Sequence, residues 1–175
     1  DIEKAKKIKE NFTYVQPANR YYEVAKDVLP EFSRMLDASL LTRAKRELAQ
    51  NKITEARNDL ADISSLSPYA YEAKLVNEKL WVAEMENKKA EEIRKRTEYA
   101  KVIGDKLTSK TKIMVNVIIS GENSEELTIR YKTAPYAELK KYVDEDKMIT
   151  TAQELGFKRI LFDKEDGESW EIKFK

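Results

Sequence analysis

Any chemistry in this chain has to come from carboxylates, lysines and tyrosines, because it contains neither histidine nor cysteine. Without cysteine there are no thiol nucleophiles, disulfides, thiolate zinc sites or iron–sulfur clusters. Without histidine the commonest general base and neutral metal ligand are gone, so Ser-His-Asp and Cys-His catalysis cannot be assembled from this sequence. The nearest approach to a metal site is the acidic run Asp163-Lys164-Glu165-Asp166-Gly167-Glu168. A calcium loop of the EF-hand kind needs alternating oxygen ligands, a glutamate at the twelfth position and helices on both sides. Here the flanks alternate apolar and polar residues as strands do, and Asp-Gly is a hairpin signal, so a turn is expected. Asp144-Glu145-Asp146 is read as acidic charge at a helix start, where it complements the helix dipole. A carboxylate hydrolase of the glycosidase type is a distant alternative, since no two acids are placed by sequence in one cleft. No catalytic, cofactor-binding or metal-binding residue is therefore assigned, and no cofactor is expected.

What remains is recognition. Phe12, Tyr14, Tyr21 and Tyr22 concentrate aromatic rings near the N-terminus. Tyrosine is common at interfaces, although packing between two helices accounts for the same residues. Tyr14, Tyr21 and Tyr22 are the candidate partner-binding residues. A basic stretch follows at 86–112, with Lys88, Lys89, Arg94, Lys95, Arg96, Lys101, Lys106, Lys110 and Lys112 interleaved with Glu91, Glu92 and Glu98. Such mixing is expected of an exposed helix face, the alternative being contact with an acidic partner or a lipid headgroup. Across the chain 33 basic side chains meet 32 acidic ones, which gives no electrostatic drive toward nucleic acid. Asn11-Phe12-Thr13 fits a glycosylation sequon.

These residues must be positioned by two kinds of structure. No glycine occurs in residues 1–103, and all four (Gly104, Gly121, Gly156, Gly167) follow. The first part therefore reads as helix. The expected segments are Ile2–Asn11, a helix begun by Pro17 and kinked or restarted at Pro30, and one capped by Asp37 or Ser39 that runs to about Asn51. Ile53–Ser65 and a long helix from Pro68 to about Ile103 follow. In the long helix Tyr71, Leu75, Val82 and Met85 are expected on one apolar face with Val76 and Leu80 beside it, 86–98 as a solvated connector, and Tyr99, Val102, Ile103 and Leu107 docked on a second domain. Beyond it the period becomes two. Val115, Val117 and Ile119, then Leu127, Ile129 and Tyr131, predict a hairpin around GENSE. Pro135 opens a helical region with Tyr136, Leu139 and Val143, resumed by Met148, Ala152 and Leu155 and capped by Gly156 with Phe157. Ile160 and Phe162, then Trp170, Ile172 and Phe174, predict two more strands. The whole reads as α+β: helical hairpins or a bundle with a long connecting helix (1–105), then a ββαββ domain (106–175) with a mainly antiparallel four-stranded sheet.

Residues 40–73 resemble a single tetratricopeptide repeat, through Ala44 in the first helix and Ala56, Leu60, Ile63 and Pro68 in the second. Leu40, Arg43 and Glu47 depart from that family's usual tryptophan, leucine and tyrosine. The resemblance implies a helical hairpin of the kind that stacks into protein-binding scaffolds. The function expected is thus a non-enzymatic binding or scaffold protein of a bacterial envelope or surface, with another protein as partner. A cytoplasmic adaptor or regulator is the alternative. No run approaches the ~20 apolar residues of a membrane helix. An extracytoplasmic location is expected, in the periplasm or at the cell surface, with room for an export signal or a lipid anchor ahead of Asp1, which is not a methionine; a cytoplasmic one is the alternative.

Overall fold

The glycine-free stretch is helical in the computed structural model, which describes residues 1–132, 136–145, 147–167 and 169–174, with the backbone alone at 136–138 and 145. Four helices come first: α1 (Ile2–Thr13), α2 (Tyr22–Ala49), α3 (Ile53–Ala61) and α4 (Ala70–Thr111). Then follow β1 (Val115–Ser120), β2 (Glu126–Tyr131), α5 (Tyr136–Glu145), α6 (Met148–Glu154), β3 (Arg159–Lys164) and β4 (Ser169–Lys173). The architecture is the expected α+β one, helical at the N-terminal side with a four-stranded, mostly antiparallel sheet at the C-terminal side.

The chain divides into two compact units, Asp1–Glu86 and Asn87–Lys175. The change of texture expected at 105/106 thus falls after the division, inside α4. Packing explains the difference. Ala100, Ile103 and Leu107 of α4 are buried in the same core as the sheet, so this stretch belongs to the second unit although its sequence is still helical and free of glycine before Gly104. Val102, expected to dock with them, is exposed.

Within the first unit, several local signals are overridden. Pro17 lies in the turn between α1 and α2 rather than at a helix start, and α2 begins at Tyr22. Pro30 sits inside α2 without ending it. It is exposed, as is Lys26 one turn earlier, so the carbonyl that loses its donor can turn to water. Asp37 and Ser39 are not caps: Asp37 is buried mid-helix, and the Ser39 hydroxyl donates back to the Met35 carbonyl at 2.9 Å. α3 stops at Ala61, before the expected Ser65, and α4 runs on past Ile103 to Thr111.

The inward face of the first part of α4 is Ala73, Val76 and Leu80: Val76 and Leu80, expected beside the stripe, are the buried ones, while Tyr71, Leu75, Val82 and Met85 are exposed. Both stripes have helical spacing, so periodicity alone could not choose between them. Ala44 of α2 and Ala56 of α3 are fully buried, and these small residues leave room for a narrow seam beginning with alanine. Leu41, Leu60, Val76 and Leu80 complete that core.

In the second unit the strand order is β1-β2-β3-β4, antiparallel at both edges and parallel between β2 and β3. A parallel pair needs a crossover, and α5 with α6 supplies it. The inner face carries Val115, Leu127, Ile129, Tyr131, Ile160 and Phe162, covered by Leu139 and Val143 of α5, Met148 and Ala152 of α6, and Phe157. Trp170 stands opposite Phe162 in the β3–β4 register, with ring centroids 3.7 Å apart and planes nearly parallel. The other face holds Arg159, Asp163, Glu171 and Lys173. Cross-strand pairs tie it: Arg159 to Glu126 at 2.9 Å and to Glu171 at 3.4 Å, and Arg130 to Asp163 at 2.8 Å.

Gly156 caps α6 as the sequence predicts. It has φ +75°, donates to the Gln153 carbonyl at 2.9 Å, and is followed by Phe157, whose N–H reaches Ala152 O at 3.0 Å. The expected helix start at Pro135 lies outside the described residues, as do Asp146, Glu168 and the side chain of Tyr136.

Candidate recognition surface

The segment joining α1 to α2 is shaped by asparagine. Asn19 Oδ1 accepts from the Tyr21 N–H at 2.9 Å, and the Asn19 carbonyl accepts from the Tyr22 N–H at 2.9 Å, which turns the chain into α2. The turn brings Tyr21 and Val24 alongside Ile8 and Phe12 of α1, with Val15 between them. Together with Asn11 and Asn19 they line an open groove of about 450 Å³. Its walls are mostly apolar, and its polar side-chain groups are two amides and the Tyr21 phenol. Ile8, Tyr21 and Val24 are exposed, so three large apolar side chains stand in water here.

Charge around the groove is basic on the α1 side. Lys4 precedes Ile8 by one helical turn and Lys7 is adjacent to it, and both are exposed. The Arg20 guanidinium lies over the Tyr21 ring, 4.6 Å from its centroid. Of the three tyrosines singled out from sequence, only Tyr21 lines the groove. Tyr14, the residue after α1, is exposed elsewhere, and Tyr22 is half-buried. Ile8, Val15 and Val24 are not among the candidates that residue type suggests. Ile8 and Phe12 share an i, i+4 spacing that could have marked the α1 wall, but Val24 has the sequence signature of a core position.

Beneath α1, three carboxylates and an arginine form a cluster. Arg43 donates through Nε and Nη2 to the two oxygens of buried Asp59 and reaches Glu3 at 3.2 Å and Glu47 at 3.9 Å. The fork on Asp59 holds the Arg43 guanidinium well above its ordinary pKa. The Glu47 pKa is raised too, which for a carboxylate disfavours the charged form. Burial raises its pKa first and the nearby Asp59 charge second, with Arg43 opposing, and its Oε2 accepts no hydrogen bond. A general acid would want such a shift, but Glu47 lines none of the clefts described.

In the second unit the corresponding polar feature is Arg96, 8% exposed, on α4. Its Nε donates to the Leu155 carbonyl at the end of α6 at 2.8 Å, and Nη1 donates to the Asn123 carbonyl in the β1–β2 turn at 2.7 Å. Residues 86–98 are therefore not purely a solvated connector. One arginine of that basic run is the pin that joins helix, cap and turn. The remainder of the run matches an exposed face: Arg94 pairs with Glu91 at 2.8 Å and with Glu98 at 3.4 Å. Glu125 lies beside this pin, its carboxylate pKa lowered chiefly by Lys158 at 3.1 Å.

A smaller cleft of about 230 Å³ is walled by Tyr99, Val102, Ile103, Leu107 and Met148. The Tyr99 hydroxyl is committed to Met148 O at 2.7 Å and, being buried, is held above its ordinary pKa. In the acidic turn, Asp163 pairs with Arg130, Glu165 with Lys132 at 3.3 Å and Asp166 with Lys164 at 2.5 Å. Its described carboxylates are thus engaged by cations. Among the described residues no three acidic side chains group as metal ligands would, and no helix is long and apolar enough to cross a membrane. Comparison with family models, curated proteins and solved structures finds no match to this chain.

Proposed function

We propose that the protein is a non-enzymatic binding module whose recognition surface is the groove between α1 and α2. The observation that carries this reading is the groove itself: Ile8, Phe12, Val15, Tyr21 and Val24 form one concave, mostly apolar surface whose polar side-chain groups are two amides and the Tyr21 phenol. Concave apolar surfaces with a tyrosine anchor and a polar rim are the usual seat of binding energy in protein recognition. The occupant that fits is a short segment of another protein carrying an apolar anchor followed or preceded by acidic residues. The anchor would enter beside Tyr21 and Phe12, and the acids would face Lys4, Lys7 and Arg20. The absence of histidine and cysteine and the commitment of Arg43, Arg96 and Tyr99 to internal partners support a binding role over a catalytic one.

Selection from a displayed peptide library on the full chain tests this. Enriched peptides should combine an aromatic or large aliphatic residue with flanking acids. Their binding should weaken by roughly tenfold or more in Tyr21→Ala and Ile8→Glu, the usual effect of losing an anchor. Tyr71→Ala, which removes a still more exposed tyrosine elsewhere, should leave it unchanged. Peptides that ignore Tyr21 and Ile8, or no enrichment at all, would remove the basis of the proposal.

A further inference from the structure

The sheet of the second unit has two edges, and they are not alike. At β4, the Phe174 N–H donates to the Lys158 carbonyl at 2.9 Å, which fixes the alternation: Ile172 and Trp170 bond to β3, while Glu171 and Lys173 turn their backbone groups outward. Both are charged, and charge on an edge discourages pairing with another chain. At β1, the Val115 N–H donates to Thr108 Oγ1 at 3.4 Å rather than to β2, so the backbone groups of Val117 and Ile119 also point away from the sheet. Among the described residues nothing bonds to them. β1 is VNVIIS, six residues in unbroken register with β2. It carries neither the charge nor the proline nor the bulge that usually blunts an edge. Its dry face is also unfinished: Val115 is buried, but Val117 and Ile119 are only half-buried at the rim of the core.

We propose that the free edge of β1 accepts an extended segment of another protein, added antiparallel as a fifth strand, with apolar side chains at alternate positions. The occupant follows from what the edge lacks. Outward N–H and C=O groups repeated along a strand are met in register only by another extended backbone. Antiparallel pairing is the more stable per residue. Residues opposite Val117 and Ile119 would bond to them and share their face, so apolar side chains there would complete the burial of that rim. Their neighbours would lie on the outer face beside Asn116 and Ser120, where polar side chains fit. β2, the strand on the other side of β1, has this pattern itself: Leu127, Ile129 and Tyr131 on the dry face, with Glu126, Thr128 and Arg130 between them. The edge belongs to the second unit, and the inference stands whether or not the α1–α2 groove has a ligand.

A capped peptide with the sequence of residues 125–132, EELTIRYK, is therefore the probe, added to the full, unaltered chain. Site-resolved hydrogen exchange should show the Val117 and Ile119 amides slowing by roughly tenfold or more at millimolar peptide, because their protons gain acceptors. Two methylated forms of the peptide separate strand addition from mere apolar contact, since both keep every side chain. Methylating the backbone nitrogens of its leucine, isoleucine and tyrosine should abolish the slowing, as those N–H groups would turn toward β1. Methylating those of its threonine and arginine should leave the slowing intact, as theirs would face away. Unchanged exchange at Val117 and Ile119, or the same response to both methylated peptides, overturns the proposal. So does slowing in the peptide-free chain that grows with its own concentration, which would make a second copy of the chain the occupant.

Discussion

Arg96 and Glu47 are two charged side chains taken out of water under opposite terms. Arg96 is satisfied, donating to two carbonyls that have few alternatives, Leu155 O at a helix end and Asn123 O in a turn. Arg96→Ala should cost the second unit about 2–4 kcal/mol in urea unfolding, because two half-buried acceptors lose a charged donor. Arg96→Lys should recover little of it, since an ammonium cannot span both carbonyls as the guanidinium fork does. Gly156→Ala should also destabilise that unit: φ is +75°, and a Cβ there would lie 2.8 Å from Arg96 Nη2. Glu47 is only partly satisfied: Oε1 lies 3.9 Å from Arg43 Nε, and Oε2 accepts no hydrogen bond. It faces Arg43 and Arg46 on its own helix and Asp59 and Glu55 on α3, and its raised pKa means that the folded state holds this proton more tightly than the unfolded chain does. The stability due to protonated Glu47 is fully present below the unfolded carboxylate pKa, about 4.3, and is lost as pH rises through the higher folded value. Glu47→Gln keeps a neutral side chain at all pH values. It should raise the melting temperature at pH 7, with the gain over the unaltered chain shrinking as the pH is lowered toward 4. A variant less stable at pH 7 would show that the Arg43 contact outweighs burial.

Helices and strands differ in how well their faces could be read. In β3 and β4 the alternation Ile160, Phe162 against Trp170, Ile172, Phe174 points as expected, toward Leu139, Val143 and Ala152. The alternates carry charge on the other face. Trp170→Ala removes the ring stacked on Phe162 and should cost about 3–5 kcal/mol, whereas Glu171→Ala should cost well under about 1 kcal/mol. Urea melts of the two variants check this, and equal losses would mean that the Trp170 side chain is not part of the core. A strand offers only two faces, so one strongly polar set identifies both. A helix offers a continuum. In α4 the stripe Tyr71, Leu75, Val82, Met85 and the stripe Ala73, Val76, Leu80 satisfy the same period, and the larger residues lie outside. The first is the more hydrophobic choice and the wrong one, because the surface it would have to meet is lined with Ala44 and Ala56.

The chain divides into its two units within a helix that gives no local sign of the division. Residues 87–111 contribute Arg96, Ala100, Ile103 and Leu107 to the sheet's unit. A fragment spanning 87–175 should therefore unfold in one cooperative thermal transition, while a fragment starting at Lys106 should lack one, having lost three of those four residues. Circular dichroism melts of the two fragments measure the difference. A cooperative melt of the shorter fragment would mean that the boundary follows glycine usage after all.

Much of the architecture is legible in the sequence alone. Helix up to residue 103, strands by alternation, the cap at Gly156 and the dry face of the sheet all follow from interactions among residues near in sequence. The mixed sheet is legible only in part, since the parallel β2–β3 pair depends on how a crossover packs. The recognition surface is legible in still smaller part. Phe12 and Tyr21 stand out by residue type, but Ile8, Val15 and Val24 join them only because Asn19 turns the chain and lays α1 against α2. By sequence Arg96 is one cation in an exposed basic run, and Asp37 a helix cap. Each is buried by partners distant in sequence: Leu155 and Asn123 for the first, Lys9 for the second. Local propensity is a property of a few neighbouring residues and survives in the fold wherever packing agrees with it. Burial of a charge depends on groups that only the folded chain brings together, and no window of sequence contains them.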